Sequence, residues 1–270
     1  MIEFAMQLVR PDIKDIETFA PSSTIPERRH IESADRIAAA LTNLGLYDKT
    51  EELRTLIAQE VTYLNNRVEE ESPDFAGKIV PYFAPRITNH FPFTWLAARF
   101  DGYSGATRRN DGWLDDNTFD EHGMNMRVVG SAATAGGPFS GQIMGLVRFD
   151  EVGGDVTLTG VNKGINQQKD LITERTTTYG SEAKDTELIV ATPADMLICA
   201  AMDFELGPLK RFNFNPNYTT RFPQIVQNGR YSSPRYPGFG TTLLDEAEFP
   251  YASRAASGNQ GFRMAIAAIR

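Results

Sequence analysis

The chain has 270 residues, 41% of them hydrophobic, 23% charged and 10% aromatic, with a net charge of −8. This is the composition of a folded globular protein with enough chain to bury a sizeable core. No apolar run approaches the ~18 residues of a membrane-spanning helix, and the negative charge argues against direct nucleic-acid binding, whose affinity rests on neutralising phosphates.

Met1-Ile2-Glu3-Phe4 places an acid where a signal peptide carries basic residues, so export by a signal peptide is not expected. The segment up to about Ile25 mixes short apolar pieces with Pro11 and Pro21 and reads as an arm. A capping position at Ser22, Ser23 or Thr24 and a first-turn proline at Pro26 then announce a helix. Ile31, Ala34, Ala38, Leu41 and Leu44 recur at helical spacing, and Gly45 closes the run. Asp48 and Glu51 imitate a capping box for a second helix. Its apolar face is Leu53, Leu56, Ile57, Val61, Leu64 and Val68, and Ser72-Pro73 stops it. The pair predicts an αα-hairpin over roughly residues 26–71.

After Pro73, glycine, proline, asparagine and threonine become frequent and apolar runs shorten. Strands are expected at Lys78–Phe83, Met126–Gly130, Gln142–Phe149, Asp155–Val161, Leu171–Tyr179 and Glu187–Val190, with a tight turn at Gly153-Gly154. Thr192-Pro193-Ala194-Asp195 offers a cap, a first-turn proline and an acid, predicting a short helix over about 193–203. From Pro208 to Gly240 the chain carries five prolines, seven aromatics, five basic residues and no acid. Its aromatics suit an arm anchored on another surface. Gly261–Ile269 reads as a closing strand or short helix. The fold class is therefore α+β: an N-terminal αα-hairpin, a mainly antiparallel β-rich body and a long irregular C-terminal arm. The boundaries are residues 1–77 for the arm and hairpin and 78–270 for the body, with the extended arm at about 208–240.

Charge is segregated along the chain. Residues 1–78 and 79–204 each carry −6, whereas residues 205–270 carry +4. The interface residues this suggests are Phe212, Phe214, Tyr218, Phe222, Tyr231 and Tyr236, with Lys210, Arg211, Arg221, Arg230 and Arg235.

Chemistry-bearing patterns are scarce. Cys199 is the one cysteine, which rules out an internal disulfide, and its apolar neighbours Met196, Leu197 and Ile198 read as core. His30, His90 and His122 are about sixty and about thirty residues apart, without metal-ligand spacing. Asp111, Asp115, Asp116, Asn117, Asp120 and Glu121 form an acidic stretch, of which Asp111, Asp115, Asp116 and Asp120 are the candidate cation ligands. Its spacing does not match the twelve-residue calcium loop, so neither a metal nor a cofactor is assigned. Gly-x-Ser-x-Gly, phosphate-loop and dinucleotide-binding patterns are missing. Trp95, Trp113 and Tyr103 could form a sugar-binding surface.

Leu244-Asp245-Glu246-Ala247-Glu248-Phe249-Pro250-Tyr251-Ala252-Ser253-Arg254 is similar to a segment of formylglycine-generating-type, C-type-lectin-like domains. Gly261-Phe262-Arg263 resembles the closing strand of the same domains. In that family a long stretch with a Gly-Gly-Ser-Trp motif separates the two pieces. Here six residues do, and the catalytic cysteines of the family have no counterpart beside the lone Cys199. No membership or activity is taken from the resemblance.

The expectation is a non-enzymatic structural subunit of a large ordered assembly, such as a capsid, decoration, connector or tail protein of a viral or phage virion. Its partners are further copies of itself and other subunits of the assembly, and its place is the virion or the cytoplasm, without membrane attachment. The alternatives are a ligand- or carbohydrate-binding module, or an enzyme with a dispersed site drawing on Asp115, Asp116, His122 and Cys199.

Overall fold

The computed structural model describes residues 28–43, 51–85, 108–109, 141–149, 157–206, 212, 214–222, 236–241, 247–249, 251–252 and 255–269. Within them the fold is mixed α+β, with helices packed on an antiparallel sheet.

Helices α1 (Arg28–Asn43) and α2 (Glu51–Glu71) sit where the periodicity places them. The buried stripe of α1 is His30, Ser33, Ala34, Ile37, Ala40 and Leu41, rotated from the expected one so that Ile37 is covered and Ile31 only half-covered. On α2, Ile57, Val61, Leu64 and Val68 of the expected face are buried and Leu56 is half-buried, with Ala58, Glu60 and Thr62 buried beside them. The two helices touch: His30 meets Thr62, and Asp35 forms an ion pair with Arg54. Ser72-Pro73 ends α2 in a single 3-10 turn, Pro73–Phe75.

The main sheet has the order β1-β3-β10-β4, built from β1 (Ile79–Pro85), β3 (Gly141–Val147), β10 (Met264–Ala268) and β4 (Thr186–Val190). Every pairing in it is antiparallel. All five residues of β10 are buried, as are Val80, Tyr82, Phe83, Met144 and Leu146. Both faces of the sheet are thus covered, which explains why these strands read as continuous apolar runs. Ala34, Ile37, Val61 and Leu64 belong to the same core as Tyr82, Met144 and Ile266, so helices and sheet share one interior.

Two strand expectations are corrected. Residues 171–179 lie inside helix α3 (Ile165–Glu182). The β-branched Ile172, Thr173, Thr176, Thr177 and Thr178 suggest a strand, but burial recurs at Ile165, Gln168 and Tyr179, on one helical face. The helix start is secured by Gln167, whose side-chain oxygen accepts from the Gly164 N–H at 3.0 Å. Of the expected strand 155–161, the described residues pair only through a single bridge, Thr159 to Phe262.

Helix α4 (Pro193–Leu206) begins as expected. Thr192 Oγ1 and the Thr192 N–H both donate to Asp195 Oδ2, at 2.9 and 2.8 Å. The Asp195 N–H returns to Thr192 Oγ1 at 3.3 Å, closing the reciprocal box.

A second sheet is made of short strands in the order β2-β7-β6-β5-β9, with β8 on β6. These are β2 (Arg108–Arg109), β5 (Thr219–Arg221), β6 (Tyr236–Thr241), β7 (Ala247–Phe249), β8 (Tyr251–Ala252) and β9 (Gln260–Gly261). The chain crosses from β9 in this sheet to β10 in the main one through Phe262-Arg263. Gly160, at φ 70°, packs so closely on Phe262 that a Cβ there would lie 2.4 Å from the ring. Only glycine fits.

Among the described residues no helix is long and apolar enough to cross a membrane.

Candidate functional site

An open groove of about 700 Å³ lies between the 3-10 turn after α2, the end of β3 and α3. Its apolar wall is Phe75, Phe149 and Tyr179, with Phe75 and Tyr179 meeting edge to face at 5.6 Å. Arg175 lies over the Phe149 ring at 4.4 Å and donates to Thr159 Oγ1 at 3.0 Å, so its guanidinium is fixed from two sides. Lys78 and Arg148 are neighbours because the Arg148 N–H donates to the Lys78 carbonyl at 2.6 Å. Around the rim, the carboxylates of Asp74, Glu174 and Glu182 are exposed.

A hydrogen-bond chain stiffens one wall. Asp185 N–H and Thr186 Oγ1 donate to Glu71, at 2.8 and 2.7 Å. Because the Thr186 proton is used there, the Tyr179 hydroxyl is the donor in its 2.7 Å bond to Thr186 Oγ1. Burial raises the Tyr179 phenol above its ordinary range.

A second concentration of polar groups centres on two buried arginines and joins the two sheets. Arg221 is 0% exposed. Its Nη1 donates to the Lys163 carbonyl (3.2 Å) and Gln168 Oε1 (2.9 Å). Its Nη2 donates to the Ala255 carbonyl (3.0 Å) and Gln260 Oε1 (2.6 Å). Arg263, also buried, donates to Thr220 Oγ1 at 2.8 Å and to Thr157 Oγ1. Its guanidinium lies over Phe214 at 4.5 Å, Phe214 stacks on Phe212 at 5.8 Å, and Phe212 meets Tyr82 edge-on at 6.3 Å. Asp203, buried on α4, accepts the Phe212 N–H at 3.1 Å. These groups are already engaged with one another and hold segments together.

The residues expected to form an interface divide accordingly. Phe212, Phe222 and Arg221 are buried in the interior of the chain itself, so their anchoring is intramolecular. Phe214 and Tyr218 are half-buried. Tyr236 begins β6, pairing with Ala252. Lys210, Arg211, Arg230, Tyr231 and Arg235 lie outside the described residues, as do Asp111, Asp115, Asp116, Asp120, His90, His122, Trp95, Tyr103 and Trp113.

Cys199 is fully buried, and burial first, then the charges of Asp195 and Asp203, push its thiol well above the ordinary value. It is a core residue, as its neighbours suggest. His30 is buried between helices. Thr62 Oγ1 donates to the Ala58 carbonyl at 2.8 Å, so His30 Nδ1 must donate in its 2.9 Å bond to Thr62. His30 Nε2 then accepts from Arg29 Nε at 3.2 Å. Among the described residues no group of three or more His, Cys, Asp or Glu side chains converges as metal ligands do.

The sequence does not reveal Arg221, Gln168 and Arg263 as a set, because their partners are carbonyls, amides and hydroxyls supplied by distant segments. The groove is equally hidden, since Phe75, Phe149, Arg175 and Tyr179 follow no motif. Compared with known proteins, the chain matches no family model, no curated protein and no solved structure.

Proposed function

We propose that this chain is a non-enzymatic structural subunit of a large ordered assembly, of the kind that builds a viral or phage particle. The supporting observation is charge segregation: residues 1–204 carry −12 and residues 205–270 carry +4. The acidic share includes exposed carboxylates at Asp74, Glu174 and Glu182, which line one groove together with Lys78, Arg148 and Arg175. A neighbouring copy would present Lys210, Arg211, Arg230 and Arg235 to this rim, setting register by charge complementarity. The finer plan belongs to the same reading: an N-terminal αα-hairpin and a C-terminal arm, anchored in its own subunit by Phe212, Arg221 and Phe222, whose other basic residues reach toward the next subunit. The buried polar network gives the subunit the rigidity that repeated contacts require.

The test is light scattering behind size exclusion at low and high salt, with electron micrographs of any large species. Rings, shells or tubes that loosen with salt are expected. A monomer of 30.0 kDa at both salts would overturn the reading. Deleting residues 208–240 is not a clean test, because β5, Phe212, Arg221 and Phe222 belong to the core. Replacing Lys210, Arg211, Arg230 and Arg235 with serine is the better variant and should abolish assembly while leaving the fold intact.

A further inference from the structure

The register of the β1–β3 pair runs one residue past the strands. Ile79 faces Val147, and the Arg148 N–H donates to the Lys78 carbonyl at 2.6 Å, so Lys78 and Arg148 stand directly opposite each other. Residues opposed in this way have Cα atoms ~5.5 Å apart and project from the same face of the sheet. Both side chains are exposed, and both line the groove of about 700 Å³. Like charges in directly opposed positions repel. Among the described residues neither cation forms an ion pair or a side-chain hydrogen bond that would offset the repulsion. An anion seated between them would gain two charged donors at once.

Each of these cations comes with an aromatic neighbour. The Lys78 N–H donates to the Phe75 carbonyl at 2.9 Å, and Phe149 directly follows Arg148. Phe75 and Phe149 are half-buried and, with Tyr179, make the apolar wall of the same groove. Arg175 is already committed to the Phe149 ring and to Thr159, so the pair at the end of the sheet supplies the charge for a ligand. Asp74, Glu174 and Glu182 on the same lining oppose a second negative charge on that ligand. The volume lies within the ~300–1,000 Å³ of sites for small organic molecules. Cationic pair, aromatic wall and acidic rim together select a ligand with one negative charge and a ring.

We propose that this groove binds a small aromatic monocarboxylate, its acid group between Lys78 and Arg148 and its ring on the Phe75–Phe149 wall. The inference does not rest on the assembly reading, which uses the acids of the rim rather than these cations. The test is isothermal titration of the full chain with 3-phenylpropionate, against propionate and sodium chloride at matched ionic strength. Saturable binding of 3-phenylpropionate is expected, with propionate at least about tenfold weaker because it lacks the ring. Lys78→Met and Arg148→Met should each weaken binding about threefold or more, and the double variant should abolish it. Both residues are exposed, so these variants should fold normally, as thermal melts would verify. Arg67→Met, which lies outside the groove lining, should leave binding unchanged. The proposal is overturned if 3-phenylpropionate gives no saturable response, if propionate binds as tightly, or if the double variant still binds.

Discussion

The Arg221 guanidinium donates to Gln168 Oε1 at 2.9 Å, and this one contact orients Gln168 completely. With its oxygen taken, Gln168 turns its amide nitrogen to the carbonyls of Gly160 at 2.8 Å and Gln260 at 3.1 Å. A helix, two loops and two β-strands thereby meet at a charge neutralised by no carboxylate among these contacts.

Such a charge resides in the interior because every acceptor is preset. Arg221→Met leaves the buried Gln168 Oε1 and three partly buried acceptors without their donor. At ~1–3 kcal/mol for each unsatisfied group, partly offset by relaxation, the loss should be at least about 3 kcal/mol. Arg221→Lys keeps the charge but lacks the fork, and should recover less than half of that loss. Urea unfolding of the three proteins measures it, and near-equal midpoints would show that the network adds little.

Gly160 and Gly180 predict opposite signs for the same substitution. Gly160→Ala forces a Cβ into Phe262 at a positive φ and should destabilise by ~2 kcal/mol or more. Gly180 sits in α3, and a Cβ added there would meet no other atom within 4 Å. Gly180→Ala should therefore stabilise by ~0.5–1 kcal/mol through helix propensity. Thermal melts of the pair decide the matter.

Alkaline pH should destabilise the protein from the thiol range upward. The Cys199 thiol is held well above its ordinary 9.0 in the folded chain, by burial and then by Asp195 and Asp203. Above that pH the unfolded chain loses the proton and the native one keeps it, so the unfolded state binds fewer protons and stability falls as pH rises. The limit is ~1.4 kcal/mol per pH unit for this one group. Tyr179, also raised, adds to the slope above 10.0. Cys199→Ala should flatten the decline between about pH 9 and 10, as followed by urea midpoints against pH.

The same burial predicts a silent thiol. Cys199 should react with an aromatic disulfide reagent at least about a hundredfold more slowly in the native protein than in urea, because the thiolate is both suppressed and covered. Rapid labelling of the native protein would mean that α4 opens readily.

Capping supplies a local check. Thr192→Ala removes the hydroxyl from the Thr192–Asp195 box and should cost ~1 kcal/mol, read as a lower urea midpoint with an unchanged slope.

Local chemistry was enough to place α1, α2, the start of α4 and the strands at 79–85, 141–147 and 186–190. Period, proline, capping and apolar runs act within a few residues, so their signals survive in the sequence. The helix over residues 165–182 was legible only through Gly164 and Gln167, and its β-branched threonines outweighed them. Tertiary structure alone decided that β10 lies between β3 and β4, that Arg221 finds its acceptors on Lys163, Gln168, Ala255 and Gln260, and that Phe212 and Phe222 turn inward. The reason is physical: an arginine or phenylalanine has the same local preferences inside or at an interface, and only the arrival of distant segments determines which surface covers it.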